Sequence, residues 1–341
     1  MPLPRGKKST ATAGSKVPKL SAANAENQAE GPQVKRSSSP PHGAPKKRTA
    51  FIDITNAHKV HISLPSRKKE SVKKTNSSSV SSKNQIPGEF DIDSENSDNC
   101  SMCPEYAKDI FDYLKQREEK FVLCNYMSKQ PSLNAEMRAI LIDWLVEVQE
   151  NFELYHETLY LAVKMTDHYL SLTPVHREML QLVGSTAMLI ASKFEERCPP
   201  SVDDFLYICD DAYKREDLIS MEASILQTLS FDINIPIPYR FLRRYAKCVN
   251  AAMDTLTLAR YFCELSLMDM DLIPERGSLL ASACLLMALV TKELGGWTPI
   301  LQFHSGYQMS DLAPVIKKLY LMLAAPPDDK LRAVRNKYSH K

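Results

Sequence analysis

The stretch Met137-Arg-Ala-Ile-Leu-Ile-Asp-Trp-Leu-Val-Glu-Val148 is apolar on two sides. At about 100° per residue, Met137, Ile140, Leu141, Trp144 and Val148 form one stripe. Ile142 and Val146 sit roughly opposite, with Leu145 between them. Glu136, Asp143, Glu147 and Glu150 line a narrow acidic ridge along one flank. An ordinary surface helix buries one stripe and wets the rest. A helix with two apolar faces is either central in a bundle or keeps its second face for a partner.

The surrounding pattern is helical throughout. Helical periods are expected at about 104–120, 134–151, 156–171, 176–194, 201–209 and 214–229. After Pro236 and Pro238 they resume at 238–250, 254–270, 276–293, 297–304 and 309–324. Pro104 suits a first helical turn, and no segment alternates with period two. An internal repeat supports two similar units. Thr158-Leu-Tyr-Leu-Ala162 matches Thr255-Leu-Thr-Leu-Ala259, and Gly184 to Lys193 lines up with Ala283 to Lys292. The second pair is apolar all round and rich in small residues, as a central helix must be when its neighbours approach closely. A period of nearly 100 residues is too long for a solenoid unit. The expected fold is all-α, with two tandem five-helix domains.

Charge divides the chain differently. Residues 1–88 hold 17 Lys/Arg against 4 Asp/Glu, a balance of +13, with Phe51 as the one aromatic residue. Residues 89–341 hold 26 against 37, a balance of −11. The basic part cannot bury enough apolar surface to offset its ordering entropy, so it is expected to be a disordered tail. Cys209, Cys248, Cys263 and Cys284 fall inside apolar helical patterns, which suits reduced core thiols. Cys100-Ser-Met-Cys103 has no second pair at zinc-finger spacing, so no metal is expected. The run Leu279 to Val290 is too short for a membrane span, and no signal peptide opens the sequence.

Catalytic signatures are missing. Ten glycines leave no G-x-G-x-x-G or phosphate loop, and neither H-E-x-x-H nor G-x-S-x-G occurs. His156 and His168 read as helix-end or surface residues. Glu195-Glu196, Asp203-Asp204 and Asp210-Asp211 read as solvated helix ends, where Asp and Ser cap N-termini. No enzyme and no cofactor are expected.

The residues 137–148 resemble the opening helix of the cyclin box. Leu180-Gln-Leu-Val-Gly184 and Leu189-Ile-Ala-Ser-Lys-Phe-Glu-Glu196 with Pro199-Pro200 resemble its third helix and the turn after it. Tyr207-Ile-Cys-Asp-Asp-Ala-Tyr213 and Met221-Glu222 complete the signature. The resemblance covers about 104–335 and is strongest to mitotic A- and B-type cyclins, above all the third B-type class. It implies an N-terminal helix segment (101–128), a first cyclin box (129–234) and a second (235–335). A regulatory tail (1–100) precedes them and a short C-terminal tail (336–341) follows.

The implied activity is regulatory: binding a cyclin-dependent protein kinase as a heterodimer and shifting its conformational equilibrium. Lys193 and Glu222 match the charged pair at the kinase interface, and Phe194 and Phe231 match apolar interface positions. Glu195 and Glu196 are further candidates. Tyr106, Ile110 and Tyr113 pack either on the kinase or on the chain's own box. Met137, Ile140, Leu141, Trp144, Glu147, Leu180 and Gln181 match a docking patch for Arg-x-Leu substrates and inhibitors. There the Leu fills an apolar slot and the Arg meets Glu147. Ile142, Leu145 and Val146 then face inward, and Met137, Leu141 and Trp144 outward.

In the tail, Arg48, Phe51, Ile54 and Asn56 resemble a cyclin destruction box, with Phe51 where Leu is usual. An extended, exposed tail lets a ubiquitin ligase of mitotic exit read it. Lys46 and Lys47, with Arg67, Lys68 and Lys69, suit nuclear import, and Ser39-Pro40 suits a proline-directed kinase. The expected protein is a nuclear cyclin that controls mitotic or meiotic progression and is removed by ubiquitin-dependent degradation. The rival is a cyclin-like helical adaptor in transcription initiation. Its DNA-binding boxes would be basic, whereas residues 89–341 are acidic, and no specific nucleic acid is expected.

Overall fold

The computed structural model describes residues 86–99 and 103–339. Twelve helices occur among them: α1 Pro104–Glu118, α2 Ala135–Asn151, α3 His156–Leu172, α4 Leu180–Glu195, α5 Val202–Ile208 and α6 Arg215–Thr228 come first. They are followed by α7 Pro238–Cys248, α8 Met253–Ser266, α9 Gly277–Thr291, α10 Pro299–Ser305, α11 Met309–Ala324 and α12 Ala333–Tyr338. No strand occurs among the described residues. The helix starts follow local chemistry. The Asn134 side chain accepts the Met137 N–H (2.8 Å) to cap α2, Ser201 and Asp204 form a reciprocal capping box on α5, and Pro104, Pro238 and Pro299 occupy first turns.

The repeated segments are the centres of two helical groups. α3 packs on α4 in the first and α8 on α9 in the second. Gly184, Ser185, Ala187, Ala191 and Ser192 of α4 are buried, as are Ala281, Ser282, Ala283, Cys284 and Ala288 of α9. Their small side chains let neighbouring helices close in. The four core cysteines are buried and unpaired, and burial pushes the Cys248 thiol up to about 12, so it stays protonated.

A buried charge cluster in the first group reaches the second through one hydrogen bond, and a ring stack adds a further contact between them. Arg138 of α2 grips Asp167 of α3 through Nε–Oδ1 (2.7 Å) and Nη2–Oδ2 (2.8 Å). Tyr126 donates to the same Oδ1 (2.6 Å), and Arg138 Nη1 donates to the Leu267 carbonyl (2.8 Å) beyond α8. Burial alone would favour releasing the Arg138 proton, but the Asp167 carboxylate outweighs it and keeps the guanidinium charged. Tyr160 and Tyr239 stack with centroids 5.9 Å apart.

Several sequence expectations shift. The tail boundary expected at 100 moves back, because residues 86–99 include a strap packed on the second group. Phe90 stacks on Phe303 (4.9 Å), its carbonyl meets His304 Nε2 (2.8 Å), and Ile92 is buried. Asp93 receives two hydrogen bonds from Arg244 (2.5 and 2.7 Å). The C-terminal tail expected at 336–341 is likewise wrong at Lys337 and Tyr338. Lys337 is buried between Glu264 (2.6 Å) and Gln149 (2.5 Å), and Tyr338 donates to Glu264 (2.6 Å). His168 is a core residue rather than a surface one. Burial, with Lys164 beside it, lowers its pKa to about 4.

Candidate functional site

Two surfaces collect the sequence-predicted residues. The first is a slot of about 350 Å³ lined by Met137, Ile140, Leu141 and Trp144 of α2, Leu180 and Gln181 of α4, and Arg177 just before it. Ile142, Leu145 and Val146 are fully buried on the opposite side of α2, so the helix does carry two separate apolar faces. Leu141 departs from the expected outward position. It is only 5% exposed and forms the slot floor, because α4 lies close against it at Gly184. A Cβ at Gly184 would stand 2.7 Å from the Leu141 side chain.

The acidic ridge is less continuous than the sequence suggested. Asp143 is buried and accepts the N–H groups of Ala333 (3.0 Å) and Arg332 (3.3 Å), capping α12. Burial raises its pKa, and those backbone donors work against the rise. Glu136 pairs with Lys330 (2.5 Å). Glu147 is exposed on the flank and does not line the slot itself.

The second surface surrounds an ion pair. Lys193 lies in the last turn of α4, where a cation is favoured by the helix dipole, and its Nζ lies 2.6 Å from Glu222 Oε1 on α6. Phe194 (45% exposed) and Phe231 (67%) project beside these elements. The Phe231 backbone is left-handed (φ 57°), closing α6 through its N–H to the Leu226 carbonyl (2.8 Å). A bulky residue in that conformation is strained. Glu195 and Glu196 are occupied internally. Glu195 takes Arg240 of α7 (2.7 and 3.0 Å), and Glu196 accepts Tyr155 N–H (2.7 Å) and Thr158 Oγ1 (2.5 Å) at the start of α3.

The alternatives for α1 separate by face. Ala107, Leu114 and Glu118 are buried, whereas Tyr106, Ile110 and Tyr113 are exposed. The helix is fixed by Glu118, which accepts the Ser278 N–H (2.9 Å) and hydroxyl. Arg117 and Lys120 both pair with Asp232, tying the end of this segment to the loop that carries Phe231.

Residues 109–234 match the family description "Cyclin, N-terminal domain", and residues 236–341 match "Cyclin, C-terminal domain". The G2/mitotic-specific cyclin-B3 of Gallus gallus is 52% identical, across 100% of this chain and 94% of its own length. The chain belongs to the cyclin family. A cyclin is a non-catalytic regulatory subunit, so the missing enzyme motifs agree with the family. The G2/mitotic-specific cyclin-B3 of Drosophila melanogaster is 48% identical over 75% of this cyclin and 46% of its own length. That of Homo sapiens is 52% identical over 75% of this cyclin, which spans 18% of the human chain. A viral cyclin structure from herpesvirus saimiri shares the fold, with TM-score 0.52, 22% identity, 67% of this cyclin and 96% of that chain covered.

Sequence reasoning missed three features of this cyclin. Arg138 is the one cation of α2 and Asp167 falls between apolar turns of α3; two opposite charges at buried helical positions were the available signal. The strap at 86–99 and α12 gave little periodicity to read. Among the described residues no group of His, Cys, Asp and Glu could hold a metal, and no helix is long and apolar enough to cross a membrane. The destruction-box residues Arg48, Phe51, Ile54 and Asn56 lie outside the described residues. So do Lys46, Lys47, Arg67, Lys68 and Lys69.

Proposed function

We propose that this cyclin binds a cyclin-dependent protein kinase as a heterodimer and stabilises its active conformation. The carrying observation is a set of large apolar side chains left in water: Phe194 and Phe231 beside the Lys193–Glu222 pair, and Tyr106, Ile110 and Tyr113 on α1, whose end is tied through Asp232 to the loop of Phe231. Such exposure is unfavourable for the free chain and suits burial in a partner. A kinase that meets this face only in its active arrangement is shifted toward that arrangement by the difference in binding energy.

The α2 slot then serves substrate choice. Seating the leucine of an Arg-x-Leu motif there is worth about 1.5–3 kcal/mol, a weak contact that a second attachment on the kinase amplifies. Glu147 on the flank meets the arginine. The basic segment containing Arg48, Phe51, Ile54 and Asn56 acts as the signal for ubiquitin-dependent destruction, and the clusters at Lys46 and Arg67 direct the chain to the nucleus. Together these give control of mitotic or meiotic progression.

The test is co-purification of kinase with the Lys193→Ala, Glu222→Ala double variant. An exposed ion pair adds only about 0–1 kcal/mol to folding, so the variant keeps its thermal midpoint while losing kinase binding. Kinase binding and activation at wild-type levels would refute the interface. Trp144→Ala should spare kinase activation and weaken use of Arg-x-Leu substrates. Arg48→Ala with Phe51→Ala should prolong the protein's life beyond mitotic exit.

A further inference from the structure

We infer that Asp232 is a positioning residue for kinase binding: it locks α1 and the turn carrying Phe231 into one preformed surface. The inference rests on the kinase-binding role proposed above. The exposed apolar residues of that face belong to separate elements. Tyr106, Ile110 and Tyr113 follow one another at helical spacing on α1. Phe231 stands in the connection between α6 and α7, and 115 residues separate Arg117 of α1 from Asp232 beside it. Two elements that moved independently would each have to be ordered when a kinase binds, and that ordering subtracts from affinity.

The turn after α6 is the part that needs holding. Ser230 (φ 52°) and Phe231 (φ 57°) are consecutive left-handed residues. That conformation is unfavourable for residues with a Cβ and persists only where the surroundings over-determine it. The Phe231 ring, largely in water, cannot supply the anchor. The next side chain does. Asp232 accepts hydrogen bonds from Arg117 and Lys120, and Arg117 Nε also donates to the Asn234 carbonyl (2.8 Å). Both cations lie near the Phe121 ring, 5.1 and 5.7 Å from its centroid, which narrows the freedom of their long side chains. Glu118, between them in sequence, accepts the Ser278 N–H (2.9 Å) and so fixes the segment that carries both cations.

These ion pairs are partly exposed, so they add little to folding stability. Their effect falls on the population of the turn. A turn that presents Phe231 one-tenth of the time binds a partner about tenfold more weakly. The loss appears in the association rate, because fewer molecules are ready to bind while the bound complex itself is unaltered. Removing a side chain that touched the kinase directly would instead shorten the lifetime of the complex.

Surface plasmon resonance of the full chain against a panel of purified recombinant cyclin-dependent kinases tests this. The parent is compared with Asp232→Ala, with the Arg117→Gln, Lys120→Gln pair, and with the triple combination. Each variant should associate about tenfold more slowly with the kinase that binds the parent, at an unchanged dissociation rate and thermal midpoint. The triple should lose no more than Asp232→Ala, because members of one network are not additive. Should Asp232→Ala lower the thermal midpoint, the Arg117→Gln, Lys120→Gln pair carries the comparison, since it leaves the turn's own residues intact. Parental association rates in the variants, faster dissociation, or losses that add in the triple overturn the inference alone. A parent that binds none of the kinases, or a Lys193→Ala, Glu222→Ala variant that binds as the parent does, overturns the kinase reading and the positioning role with it.

Discussion

Replacing Asp167 by Asn tests whether one buried cation ties α2 to α3 and to the chain beyond α8. Arg138 is 1% exposed, and its guanidinium has two contacts to Asp167 and one to the Leu267 carbonyl. Asn keeps the shape and one acceptor oxygen but removes the compensating charge, leaving a full positive charge in a dry site. Breaking a buried pair from one side costs about 3–5 kcal/mol, and the retained acceptor places this variant near 3. For a folded unit of this size each kcal/mol moves the midpoint by about 2–4 °C, so thermal unfolding followed by circular dichroism should shift down by about 6–12 °C. The loss arises from the stranded charge rather than from the missing contact. A triple variant that removes the whole cluster, Arg138→Met, Asp167→Leu and Tyr126→Phe, should therefore be more stable than Asp167→Asn alone. An Asp167→Asn protein within about 1 kcal/mol of the parent, or a triple variant less stable than the single, would refute the reasoning.

Three further outcomes are expected. Gly184→Ala places a methyl against Leu141, and the nearest open space for that side chain is the slot; Arg-x-Leu peptide affinity should fall about tenfold, with a stability cost of about 1–3 kcal/mol, and unchanged affinity would disprove the steric link. His168 has its folded pKa lowered to about 4 by burial and by Lys164, against about 6.5 in the unfolded chain. Its stabilising contribution is complete above 6.5 and is lost as pH falls toward 4, by about 1.4 kcal/mol per unit and about 3 kcal/mol in all; urea unfolding of His168→Asn between pH 7 and 4.5 should lack that part of the decline. Asp93→Ala strands the buried Arg244 and should loosen the strap, seen by mass spectrometry as faster proteolytic cleavage within residues 86–99.

The helices of both boxes were legible because each needs a long apolar stripe, and stripes survive in sequence as spacing. The two faces of α2 were legible for the same reason, down to the burial of Ile142, Leu145 and Val146. Leu141 was not, since its depth depends on Gly184 of another helix. Asp143 read as part of a solvated ridge because its burial is caused by Arg332 and Ala333, nearly two hundred residues away. The strap was hidden for a related reason. Its contacts are one stacked ring, one isoleucine and one carboxylate, each meaningful only beside Phe303, His304 and Arg244. Glu195 and Glu196 looked available to a partner until Arg240 and Thr158 proved to be their neighbours. Periodicity reports what one helix needs; it carries no information about which distant group completes a polar site.

The capping of α12 by Asp143 has a consequence in time. Ala333 follows Asp143 by 190 residues, and translation adds about 5–20 residues per second. For about 10–40 s α2 has been made while its Asp143 carboxylate and Gln149 side chain still lack their partners in Ala333 and Lys337. The first box is complete at about residue 234, and it then waits for the second box to be made before the segment at Ala333 that seals it appears. An expressed fragment ending near 234 would remain in that state permanently, so low yield or aggregation of an isolated first box reflects a missing closure rather than a weak core.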